Sequence, residues 1–144
     1  MIFLHLIIGL ILGKLTFAYI PFILGSLIPD LDHIYIILKH KLYKRNFLDT
    51  LKNEEKYNIK YKTPLFHSLL GLIIFSIIFY LITLNQLSSI YFASAYFLHL
   101  LMDWPDKDIK YYLYPSKIKF SGSFPIWSKT EKALTILALI ILII

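Results

Sequence analysis

His99 and Asp103 lie four residues apart in the run Tyr96-Phe97-Leu98-His99-Leu100-Leu101-Met102-Asp103. On a helix that spacing turns an imidazole nitrogen and a carboxylate toward one side, where both can reach a common cation. Asp30 and Asp32 flank Leu31 directly after Pro29, and His33 follows them. Held in a turn behind a helix-ending proline, two such carboxylates can converge on one ion or bridge two. His67 opens a second apolar stretch, Thr63-Pro64-Leu65-Phe66-His67-Ser68, with Ser68 placed to support it by a hydrogen bond. His5 stands in the first apolar run, whereas His40 falls among lysines and is set apart.

The chain has no cysteine, which excludes disulfides, thiolate zinc sites and cysteine nucleophiles. Any metal must be held by His, Asp and Glu. Such a nitrogen and oxygen donor set suits a divalent ion, zinc first, with manganese or iron also served. The expected ligands or their immediate supports are His5, Asp30, Asp32, His33, His67, His99 and Asp103. A bound ion would acidify a water and polarise the bond to be cut, and Asp32 or Asp103 would act as general base. Taken singly, a histidine at a membrane surface is an ordinary polar residue, Asp30 and Asp32 could simply end a helix, and Asp103 could pair with a lysine. Asp106 and Asp108 are read in that plain way, as solvated partners of Lys107 and Lys110. Co-location of the remaining groups at one level is what argues for a site, because clustered carboxylates near lipid need a cation.

The elements that must bring these groups together are apolar helices. Hydrophobic residues make up 58% of the 144-residue chain and charged residues 17%, against about 45–50% and about 25% in soluble domains. The length suits one membrane-embedded helical domain over residues 1–144. The net charge is +6, but every basic residue except Lys14 lies between Lys39 and Lys62 or between Lys107 and Lys132. Those segments flank apolar runs as positive-inside loops do, so no nucleic-acid partner is expected. Basic interfacial loops are assigned to about residues 34–63 and 104–132, the second with Trp104, Tyr111, Tyr112, Tyr114 and Trp127 as interface anchors.

Residues 2–28 form the first apolar region, interrupted by Lys14. At about 1.5 Å per residue it is longer than a hydrocarbon core of about 30 Å. It is either one tilted helix or a short hairpin folded back around Gly13-Lys14, packed closely through Gly9 and Gly13. Pro21 would kink a helix passing through it and Pro29 would end one. The hairpin is favoured, because it returns His5 to the level of Asp30. Two spans follow, Pro64–Leu84 and about Leu87–Met102, joined by a polar turn. The apolar tail from Ala133 to Ile144 is too short to cross with certainty. The expected fold is all-α: a small polytopic helical membrane protein with an N-terminal helical hairpin and two to three further spans. The loops on either side of the 64–102 hairpin share a face, which their lysines make cytoplasmic.

The segments Gly25-Ser26-Leu27-Ile28-Pro29-Asp30-Leu31-Asp32-His33, Thr63 to Ser68, and His99 to Asp103 together resemble the predicted membrane-bound metal-dependent hydrolases. That family includes the LexA-regulated inner-membrane proteins of bacteria. His5 and the Leu113-Tyr114-Pro115 segment also fit its pattern, and the resemblance spans roughly residues 1–117. It departs before His67, where a proline and extra residues separate Thr63 from the histidine, so no role is carried over to Thr63. The resemblance implies metal-dependent hydrolysis and no particular substrate. A looser likeness to zinc-dependent phospholipases suggests phosphoesters, and a site at the cytoplasmic membrane face would meet lipid headgroups. A lipid or other phosphoester is therefore the expected substrate, and the bilayer the partner. The alternatives are a non-enzymatic membrane protein with a structural metal, and a small transporter. A transporter calls for polar groups at mid-membrane or on both faces, and the sequence has neither.

Overall fold

The computed structural model describes residues 2–39, 41, 63–124 and 129–144. Among them the architecture is all-helical, with isolated β-bridges in place of strands. The helices are α1 (Ile2–Thr16), α2 (Tyr19–Leu27), a 3-10 turn (Ile28–Asp30), α3 (Leu31–Lys39), α4 (Leu69–Thr83), α5 (Gln86–Asp103) and α6 (Lys129–Ile143). His40, residues 42–62 of the first expected interfacial loop, and residues 125–128 with Trp127 lie outside the described residues.

The first apolar region is a hairpin, as favoured from the position of His5. Its turn falls at Phe17-Ala18 instead of Gly13-Lys14, with Phe17 in the left-handed region at φ 58°. Gly9 lets the two helices touch: a Cβ there would lie 2.4 Å from Ser26 Oγ and 3.0 Å from the Phe22 carbonyl. Pro21 kinks nothing, because it sits in the first turn of α2, where backbone N–H groups have no helical acceptor.

Pro29 does not end the helical path. It occupies the first turn of the 3-10 segment, and Ile28 before it keeps helical angles of φ −56° and ψ −39°. The path therefore continues through α3, so Tyr19–Lys39 forms a 21-residue helical stretch, long and apolar enough to cross a membrane. Asp30 and Asp32 accordingly lie on a helical path and not in a loop, and residues 34–39 belong to a helix instead of the expected basic loop.

The second hairpin follows the expected limits with one change. α4 begins only at Leu69, because residues 64–68 form turns that set His67 just before the helix. Ser68 caps α4: its Oγ accepts from Gly71 N–H at 3.1 Å and donates to the Leu65 carbonyl at 2.8 Å. The hydroxyl is thus committed to the helix start and not to His67. Leu84 in the left-handed region ends α4, and Asn85 caps α5.

Phe79, Phe92, Tyr96, Leu100 and Tyr112 make one buried cluster, and Leu4, Ile7 and Ala138 join α1 to α6 in another. Tyr112 is therefore core and not an interface anchor, stacked on Trp104 at 5.6 Å between ring centroids. The 104–124 segment also buries charge. Lys110 is 1% exposed, and its ammonium bonds the Asp106 carbonyl at 2.6 Å and Asp108 Oδ1 at 2.8 Å. The expected pairing of Lys110 with Asp108 is present, but folded inward instead of solvated. Asp106 is likewise buried.

Candidate metal centre

α2 and α5 run in parallel, in contact at Gly25, where a Cβ would lie 2.3 Å from the Phe92 carbonyl. That contact brings the end of α2 beside the end of α5. The start of α1 and the turn before α4 arrive at the same level. His5, Asp30, Asp32, His33, His67, His99 and Asp103 are thereby brought together.

His5 Nδ1 lies 3.1 Å from Asp30 Oδ2, and His5 Nε2 lies 3.4 Å from Asp103 Oδ1. His67 Nε2 is 3.9 Å from Asp30 Oδ1 and 3.5 Å from Asp103 Oδ2. His99 Nε2 faces the same two oxygens at 3.8 and 3.6 Å. His33 Nε2 is 3.2 Å from Asp30 Oδ1, and its Nδ1 is 3.5 Å from Asp32 Oδ1. Asp32 Oδ2 lies 3.2 Å from His67 Nδ1 and accepts the Thr63 N–H at 2.6 Å.

The hydrogen bonds fix how some of these groups are turned. His99 Nδ1 is 2.7 Å from the Ser26 carbonyl. A carbonyl only accepts, so Nδ1 carries a proton, and Nε2 is turned toward two carboxylates. His5 Nδ1 is bonded to Asp30, which aims His5 Nε2 at Asp103 in the same way. Neither His5 Nε2 nor His99 Nε2 has a hydrogen-bond partner among the described residues. His5 Nε2 and His99 Nε2 lie 3.4–3.8 Å from oxygens of Asp30 and Asp103, and carboxylates gathered in so buried a place are costly unless positive charge lies among them.

The spacing suits such an ion. A tetrahedral zinc with bonds of about 2.0–2.1 Å holds its donors about 3.4 Å apart, and the separations of 3.1–3.9 Å bracket that value. Three groupings, His5-His99-Asp103, Asp30-His67-His99 and Asp32-His33-His67, each offer donor atoms within 4.8 Å of one another and could hold a metal ion.

Several contributors had little sequence signal. The Ser26 carbonyl and the Thr63 N–H are backbone groups, present at every position and selected only by the fold. Tyr96 bonds the Phe66 carbonyl at 2.6 Å and so holds the turn carrying His67. Its place three residues before His99, on the same helix face, was the one available hint.

A helical membrane protein with a buried histidine and aspartate cluster at the meeting point of its two hairpins is the class these features define. The chain belongs to the YdjM inner membrane protein family, whose model matches residues 2–144. A lipid bilayer is therefore its setting. No curated protein and no solved structure matches the chain.

Proposed function

We propose that this protein is a metal-dependent hydrolase of the inner membrane, acting on a lipid-like phosphoester. A divalent ion, zinc or alternatively manganese or iron, would be held among His5, Asp30, Asp32, His33, His67, His99 and Asp103. The observation that carries this reading is unequal exposure. The other six side chains are at most 3% exposed, and His33 alone reaches 24%. A structural metal site is closed by protein, whereas a hydrolytic one keeps a way in.

When bound, a divalent ion supplies Lewis acidity and a more acidic water. The chain's own residues do the rest. His33, at the opening and within 3.2–3.5 Å of Asp30 and Asp32, is the ligand placed where substrate or water would arrive. Asp32 is fixed by the Thr63 N–H and orients His67, and its second oxygen can accept a proton. Asp103 can serve the same purpose from the opposite wall.

Two features favour an amphiphile over a soluble ester. Asp30 lies eleven residues beyond Tyr19, about 17 Å along the helix, so the site is recessed roughly halfway along the Tyr19–Lys39 stretch. Beside His33 on α3, Leu31, Ile34, Tyr35 and Leu38 are exposed and offer an apolar approach. The lysines of the 107–132 segment favour the cytoplasmic side for this end of the molecule.

The test is hydrolysis of phospholipids in mixed micelles by detergent-purified, metal-loaded protein, beside Asp30→Asn. At least a tenfold loss in the variant is expected. Metal-replete protein with no Asp30-dependent hydrolysis would leave the cluster as a staple joining α1, the 3-10 turn with α3, the turn before α4, and α5.

A further inference from the structure

We propose that the cluster takes two divalent cations, one in each of two triads, with the Asp30 carboxylate shared between them. This rests on the metal-dependent reading above and adds its stoichiometry and its division of labour. His5, His99 and Asp103 form one triad, and Asp32, His33 and His67 form the other. No residue belongs to both, each set offers two imidazoles and one carboxylate, and the third grouping, Asp30-His67-His99, straddles them at the shared carboxylate.

Asp30 stands between them. Its Oδ2 is engaged by His5 Nδ1 at 3.1 Å, which leaves Oδ1 facing both sets. That oxygen lies 3.8 Å from His99 Nε2 in the first triad. It lies 3.2 Å from His33 Nε2 and 3.9 Å from His67 Nε2 in the second. Buried polar atoms without a hydrogen-bond partner occur in each triad: His5 Nε2 and His99 Nε2 in one, Asp32 Oδ1 in the other.

Charge points the same way. Asp30, Asp32 and Asp103 carry a formal −3 between them. One divalent ion leaves −1 in a buried cluster, and two leave +1. A net positive centre attracts a phosphoester anion, and a pair of cations is the arrangement that phosphoester hydrolysis commonly employs. The positions are unequal. Every member of the His5 triad is about 1% exposed, while the second triad is exposed at His33, to 24%. The first holds its cation permanently, and the second exchanges its cation and meets substrate.

The experiment loads detergent-purified full-length protein with manganese, removes the excess, and measures metal per chain by elemental analysis together with electron paramagnetic resonance. Two ions per chain with an exchange-coupled spectrum are expected. His33→Gln, at the exposed edge, should retain one ion with an uncoupled spectrum, and His99→Gln should likewise lose one. Size-exclusion profiles check that each variant is folded, and the wild-type spectrum is decisive without them. One ion per chain overturns the proposal and leaves the hydrolase reading standing. Two ions without coupling remove the shared role of Asp30. No bound metal at all overturns both.

Discussion

Replacing Gly25 by alanine tests whether the approach of α2 to α5 is what builds the site. The new Cβ would lie 2.3 Å from the Phe92 carbonyl oxygen and 2.9 Å from Ala95 Cβ, against about 3.3 Å for a close carbon–oxygen contact. The neighbour is backbone and cannot swing aside, so α2 must retreat by roughly 1 Å. Overpacking of this kind costs about 1–3 kcal/mol. Alanine recovers about 1 kcal/mol through helix propensity, so the net effect is destabilising or near zero. The effect on the site is larger. Ser26 follows Gly25, and its carbonyl holds His99 Nδ1 at 2.7 Å; a 1 Å retreat takes that pair beyond hydrogen-bond range. Losing support of this kind weakens metal binding about 10–100-fold. Metal affinity is measured by competition with a chromogenic chelator, and stability by thermal unfolding in detergent. Ser94→Ala serves as control, its hydroxyl being exposed and bonded only to the Ile90 carbonyl of its own helix. Wild-type affinity and wild-type stability in Gly25→Ala would refute the argument.

Other substitutions probe the supports one at a time. Tyr96→Phe removes the 2.6 Å bond to the Phe66 carbonyl; a loss of about 1 kcal/mol and a weaker metal affinity are expected, and an unchanged affinity would detach Tyr96 from the site. Lys110→Met leaves Asp108 without its 2.8 Å partner. A loss of about 3 kcal/mol is expected for a broken buried pair, seen as a lower unfolding midpoint, whereas no loss would mean the ammonium is solvated. Stripping metal with a chelator should lower the thermal midpoint, since a ligand at a hundred times its Kd stabilises by about 2.7 kcal/mol. A midpoint that ignores chelation and reloading would argue that the folded chain binds no ion.

The chemistry-bearing residues were legible because lipid makes ionisable groups costly, so each one placed in an apolar run stands out. The four-residue spacing of His99 and Asp103 and the hairpin of Pro64–Leu84 with Leu87–Met102 were readable for the same reason: periodicity and polar turns are local. The course of the chain through Pro29 was misread. Proline disfavours helical geometry at the residue before it only as a tendency, and the packing of α2 on α5 decided the outcome. The role of Ser68 was misread too, since a hydroxyl before a helix serves as a cap more readily than as a support for histidine. Lys110 and Asp108 were paired correctly from their spacing, but their burial depends on how residues 104–124 fold back, which composition does not encode.

By itself the sequence determined a helical membrane protein and the list of groups able to hold a cation, because residue type and helical spacing fix both. Only the tertiary structure decided that His5 meets Asp30 and that backbone groups of Ser26 and Thr63 aim the side chains. It alone brought the imidazoles and carboxylates together in three overlapping groups. Those outcomes depend on the distance between helices remote in sequence, set by contacts such as Gly25 against Phe92, and no local pattern carries that distance.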